Sequence, residues 1–247
     1  MFSESVAIAI SDNESLDASF SRPRNSDKVV IITHGLGSDK ESEYASAFER
    51  KLTKSNISTL RYSNRGSGLS SGDFFDFTFS QAVQDLETVI NYLKNKNYKN
   101  IGIVGNSINS AAALEVTSKQ TDSTIKTLAL ISCISNYPKV LKDHPNLLAK
   151  WKEEGSLTLP AFGDKKLSYE FVTDLKNHTF PVPKRSLNAK FAICHASEDP
   201  LVSYKSQAEP LLPDSTSFNV FYSDHHSMAP YCDQVVKLSS TYIESTL

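Results

Sequence analysis

The stretch Ile101-Gly-Ile-Val-Gly-Asn-Ser107-Ile-Asn-Ser-Ala-Ala-Ala113 reads as a buried strand, a sharp corner and then a helix of small residues. A serine at such a corner holds its hydroxyl out at the carboxyl edge of a sheet, on strained backbone. Its neighbours two positions away must be small so that strand and helix can pass closely. The N–H groups that open the helix then point at whatever the serine attacks. Gly105 meets the size demand on one side, while Asn109 stands where the pattern G-x-S-x-G has its second glycine.

Working outward, short runs of Val, Ile, Leu and Phe recur at 6–10, 29–33, 59–62, 101–104, 127–131, 191–195 and 218–222. Helix-period stretches lie between most of them. Tyr44, Phe48 and Leu52 share one face of 41–54, and Ala82, Leu86 and Ile90 one face of 79–93. Residues 110–119 are alanine-rich, and Val235, Leu238 and Tyr242 form a stripe in 231–245. Strands alternating with helices predict an α/β fold, with a mostly parallel central sheet and helices on both faces. From 136 to 187 the rhythm breaks: the composition turns polar, with five prolines and Trp151, the single tryptophan. That length is too great for a structureless loop and predicts an inserted cap, 136–187, on a core made of 1–135 and 188–247.

A serine hydroxyl needs a base to take its proton and a carboxylate to hold that base in the right tautomer. On this kind of sheet both follow the serine in the chain, each on a loop after a strand. The strand Phe191-Ala-Ile-Cys-His195 runs into Glu198-Asp199-Pro200, and Phe218-Asn-Val-Phe-Tyr222 runs into Ser223-Asp224-His225-His226. An oxyanion asks for two donors. The N–H of Ile108 follows the serine, and the N–H of Leu36 lies in His34-Gly-Leu-Gly37, after the strand 29–33.

With these blocks the chain resembles the α/β-hydrolase superfamily along nearly its whole length, including Asn64-Arg-Gly-Ser-Gly68-Leu-Ser-Ser-Gly72, which is similar to the superfamily's D-x-R-G-x-G-x-S-x-G loop. Within it the chain looks most like small capped carboxylesterases of the cinnamoyl/feruloyl esterase and monoacylglycerol-lipase type. Through Gly163–Asp174 and the missing glycine at 109 it is also similar to the acyl-transferase/thioesterase of bacterial luminescence operons. The resemblance implies Ser107 as nucleophile, Asp199 as orienting acid and His225 as base, with Leu36 and Ile108 as the oxyanion donors. Asp199 is preferred to Glu198 because it matches G-x-x-D-x-x-V, and His225 to His226 because the base follows an acid in G-A-D-H; His226 is then expected at the rim. The implied chemistry is hydrolysis of a small-molecule ester through an acyl-enzyme, with no metal and no organic cofactor. Two alternatives stand beside it: thioester cleavage or acyl transfer on medium or long acyl chains, and a catalytically silent binding protein.

Composition removes other classes. With 26 Lys+Arg against 28 Asp+Glu, scattered along the chain, there is no basic face for nucleic acid. The apolar runs are too short for a membrane span, the N-terminal apolar run is too short for a signal peptide, and a cytoplasmic protein is expected. Cys133, Cys194 and Cys232 are spaced too widely for a zinc cage. His34 and His195 are expected to bond backbone near the site, and His144 and His178 to be solvated. Arg65 is expected to tie its turn through carboxylate or carbonyl contacts, and Phe74, Phe75, Phe77 and Phe79 to lie in the core. Only nine of 247 residues are glycine, about half the usual ~7%, and seven of the nine fall between Gly35 and Gly105. Glycine is therefore concentrated where the backbone of these loops demands it.

Overall fold

Strands without a polar face build the centre of the molecule. The computed structural model describes residues 3–23, 26–160, 163–180, 187–214 and 217–247. Eight strands form one sheet: β1 (Ser3–Ala9), β2 (Ser15–Ser21), β3 (Lys28–Ile32), β4 (Ser58–Tyr62), β5 (Asn100–Asn106), β6 (Ile125–Ile131), β9 (Lys190–Ala196) and β10 (Ser217–Phe221). Their order is β1-β2-β4-β3-β5-β6-β9-β10. From β4 to β10 the pairing is parallel, and β2 pairs antiparallel with both β1 and β4. The central parallel strands β3, β5 and β6 are covered on both faces, so they read as near-continuous apolar runs.

Two helix layers do the covering. Helices α1 (Glu43–Lys54) and α8 (Cys232–Thr246) pack on the face that carries Val30, Ile32, Val104 and Ile131. Helices α2 (Phe79–Asn95) and α3 (Ile108–Lys119) pack on the face that carries Val29, Ile31, Ile103 and Leu130. The helix starts are set locally. Thr78 and Gln81 close a capping box at α2, and the Ser42 hydroxyl accepts from the Ala45 N–H at α1. This is the predicted α/β architecture, and Phe74, Phe77 and Phe79 lie in the core as expected, whereas Phe75 is 41% exposed. β2 was not predicted: Leu16, Ala18 and Phe20 alternate and are buried, but serine and aspartate between them break the apolar run.

Between β6 and β9 the chain leaves the sheet. It forms α4 (Tyr137–Asp143), α5 (Pro145–Glu154), the antiparallel pair β7 (Ser156–Leu159) and β8 (Lys165–Ser168), and α6 (Glu170–Asp174). Trp151 anchors this insert, with its ring centroid 5.9 Å from that of Phe171 and its plane nearly parallel to it. Its indole N–H donates to the Leu167 carbonyl at 2.9 Å. A short α7 (Tyr204–Gln207) follows β9.

Candidate active site

Ser107 sits between β5 and α3 with φ 51° and ψ −118°, a backbone that a residue with a Cβ adopts only under constraint. The constraint is close packing. A Cβ on Gly105 would lie 2.9 Å from the Ser110 Cα and 3.0 Å from the Asn109 carbonyl, so only glycine lets β5 and α3 pass this closely. The Ser107 N–H donates to the Ile131 carbonyl at 2.9 Å, and its carbonyl accepts from the Ser110 hydroxyl at 2.5 Å.

The Ser107 hydroxyl lies 2.9 Å from Nε2 of His226, and Nδ1 of His226 lies 2.7 Å from Oδ2 of Asp199. The histidine that meets both Ser107 and Asp199 is thus His226, one residue beyond His225, which was expected there. His225 has its side chain 58% exposed, beside Asp224, whereas that of His226 is 21% exposed and turned inward. The reason is the turn: the Met228 N–H donates to the His225 carbonyl and the His225 N–H to the Ser223 hydroxyl, which sends consecutive side chains to opposite sides. Asp199 faces His226 from the loop after β9. Its Oδ1 accepts from the N–H groups of Leu201 and Val202, both at 2.9 Å, leaving Oδ2 for the imidazole. Burial works against the carboxylate, yet the bond and charge of His226 together with these amides outweigh it and hold Asp199 below the usual carboxylate range. With Asp199 accepting from Nδ1–H, Nε2 is free to accept the Ser107 proton.

Behind the serine lies a buried polar network. Asn109 is fully buried, and its amide donates to the His34 carbonyl at 2.6 Å and to Oδ1 of Asn64 at 2.7 Å, so the side chain fills the slot a glycine would leave. The Asn64 N–H donates to Nε2 of His34 at 2.9 Å, and Nδ1 of His34 lies 2.8 Å from the Gly35 carbonyl. An Nε2 that accepts requires the proton on Nδ1. Burial agrees with this neutral form and lowers the His34 pKa to about 4. Arg65 bonds Asp85 twice, through its N–H at 2.8 Å and its Nε at 2.7 Å, which ties the turn as expected.

The loop after β3 passes beside Ser107: a Cβ on Gly35 would lie 3.7 Å from the Ser107 Cβ. Leu36 lines the cavity at the serine, and Ile108 is the first residue of α3, where an N–H has no intrahelical acceptor. The cavity is about 330 Å³ and runs from Ser107 and His226 under the insert to Leu148, Trp151, Leu157 and Leu159. Among the described residues that line it there is no Asp, Glu, Lys or Arg.

Other polar groups have separate partners. His195 accepts the Cys133 N–H on Nδ1 at 3.1 Å and donates from Nε2 to the Val202 carbonyl at 2.8 Å. His178, expected in solvent, is buried: Nδ1 lies 2.8 Å from Glu115 and Nε2 lies 2.8 Å from the Ser80 hydroxyl, which joins the insert to α2 and α3. Burial pushes the Cys133 thiol up to about 12 and Cys194 to about 11, so neither is a thiolate near neutrality. Among the described residues no group of three or more His, Cys, Asp or Glu could hold a metal, and no helix is long and apolar enough to cross a membrane.

A parallel sheet with this strand order and a serine on a strained strand-to-helix corner defines an α/β hydrolase. The chain belongs to the family described as serine aminopeptidase, S33, whose model matches residues 24–238. Est1E from Butyrivibrio proteoclasticus, solved with ferulic acid bound, superposes with a TM-score of 0.77 at 17% identity, covering 98% of each chain. The alpha/beta hydrolase domain-containing protein 10 from mouse gives 0.78 at 16%, covering 98% of this chain and 97% of that one. The Pyrococcus furiosus esterase Pf2001 gives 0.71 at 18%, covering 99% and 93%. An acyl transferase of Photobacterium leiognathi is 26% identical over 141 residues, a match that covers 55% of this chain and 44% of that protein.

Proposed function

We propose that the protein is a serine hydrolase that cleaves carboxylic esters through Ser107, His226 and Asp199. The observation that carries this is the unbroken line of hydrogen bonds from hydroxyl to imidazole to carboxylate, 2.9 and 2.7 Å long, beside an uncharged cavity. Ser107 Oγ attacks the ester carbonyl carbon and gives its proton to Nε2 of His226. The C–O bond to the alcohol breaks, and the alcohol leaves with that proton. Water then adds to the acyl-serine, passing a proton through the same imidazole, and the carboxylic acid departs as the serine is restored. The N–H groups of Leu36 and Ile108 stabilise the oxyanion, and the elements within 136–187 act as a cap that shields the acyl group.

Ser107→Ala is the test. Turnover of a p-nitrophenyl short-chain ester is expected to vanish with the fold intact, and wild-type-like rates in that variant would refute the assignment. A fluorophosphonate probe separates enzyme from silent binder, since the enzyme labels and Ser107→Ala does not. A second reading, thioester cleavage, is favoured by the likeness to the Photobacterium leiognathi acyl transferase together with the apolar cavity. An acyl-CoA chain-length series compared with simple esters decides it, and no measurable thioester cleavage rejects it.

A further inference from the structure

Ser107 is not the site's one residue with left-handed backbone. Ser132, fully buried just past the end of β6, has φ 49°, which a residue with a Cβ takes only when its surroundings insist. Its hydroxyl donates to the backbone carbonyl of His226 at 2.5 Å, and its N–H donates to the Cys194 carbonyl of β9 at 2.9 Å. The next two residues reach the other two members of the site. The Cys133 N–H donates to His195, whose Nε2–H donates to the Val202 carbonyl, and the Val202 N–H in turn donates to Asp199. The Ile134 N–H donates at 2.8 Å to the Ser110 hydroxyl, which donates to the Ser107 carbonyl.

Residues 132–134 therefore touch, by successive hydrogen bonds, the loops of base, acid and nucleophile. Of these ties the one to His226 is the most exacting. Asp199 is fixed by two amides and Ser107 by its helix, but the loop that carries His226 hangs between β10 and α8. Among the described residues, the Tyr44 hydroxyl on the Met228 carbonyl at 2.7 Å holds its far end.

We propose that Ser132 is a positioning residue for the base: its hydroxyl, aimed by the left-handed backbone, fixes the His226 main chain so that the imidazole spans Ser107 and Asp199. This rests on the serine-hydrolase reading above. It also accounts for which of two adjacent histidines faces inward, because the bonded carbonyl is that of residue 226.

Kinetics of Ser132→Ala and Ser132→Gly on p-nitrophenyl butyrate, alone and combined with His226→Ala, test the role. A displacement of about 1 Å costs on the order of 100-fold in rate, so kcat should fall about 10- to 100-fold with KM within about twofold. Ser132→Gly takes a positive φ without strain and keeps the fold, yet should lose as much, since it too lacks the hydroxyl. In the His226→Ala background the residual rate should not fall further, because the effect passes through His226. An equal loss in both backgrounds would show a purely structural part, and wild-type kcat in both single variants would overturn the role. A fully active His226→Ala enzyme would overturn the hydrolase reading along with it, whereas an inactive His226→Ala beside an active Ser132→Ala overturns the positioning role alone.

Discussion

At the scale of single residues, Asn109 shows how a departure from a motif is accommodated. The side chain donates to two buried acceptors, the His34 carbonyl and Asn64 Oδ1. Asn109→Ala removes both donors and should cost about 1–3 kcal/mol of stability, read from urea unfolding; an unchanged midpoint would contradict this account of the network. The placement of Ser107 and Asp199 at one sheet edge was legible in the sequence because each sits at a strand end in a pattern with a geometric reason. His226 was not. Two histidines in a row present the same chemistry, and the turn that selects between them depends on Ser223 beside them and on Ser132 and Tyr44, which lie far away in the chain.

At the scale of elements, the approach of β5 to α3 is what exposes the Ser107 hydroxyl. Gly105→Ala would set a methyl against the Ser110 Cα and the Asn109 carbonyl, both backbone atoms that cannot swing aside. Overpacking of this kind costs about 1–3 kcal/mol, and here it should also lower kcat by reshaping the corner. A variant with unaltered melting temperature and ester turnover would show that the corner tolerates the methyl. The parallel strands were legible because burial on both faces leaves apolar runs. β2 was not, since its outer residues are Ser15, Asp17 and Ser19 and its signal is alternation over only a few residues. The elements of the insert were illegible for a related reason: its helices and hairpin are short, and their apolar residues pack largely on one another, as Trp151 does on Phe171 and Tyr169.

At the scale of the molecule, buried neutral histidine gives stability a pH dependence. His34 is held neutral in the fold, with its pKa lowered to about 4, and titrates near 6.5 when unfolded. Between those values the unfolded chain binds more protons, so stability is lost as pH falls through that window, by about 3 kcal/mol at most from this group. His195, likewise lowered by burial, acts in the same direction. Asp199, held below its ordinary range, adds a loss at lower pH, as the carboxylate takes a proton through its folded pKa. The urea midpoint should therefore drop between pH 7 and pH 4.5, and a flat or rising midpoint would contradict the burial of neutral imidazoles.

The central claim concerns the identity of the base, and kcat/KM for a p-nitrophenyl ester in His226→Ala and His225→Ala tests it most directly. Loss of the base should cost His226→Ala about 10²–10⁴-fold, while the solvent-exposed His225 should be replaceable with a change of no more than about twofold. The opposite pattern, an inactive His225→Ala beside an active His226→Ala, would contradict the account.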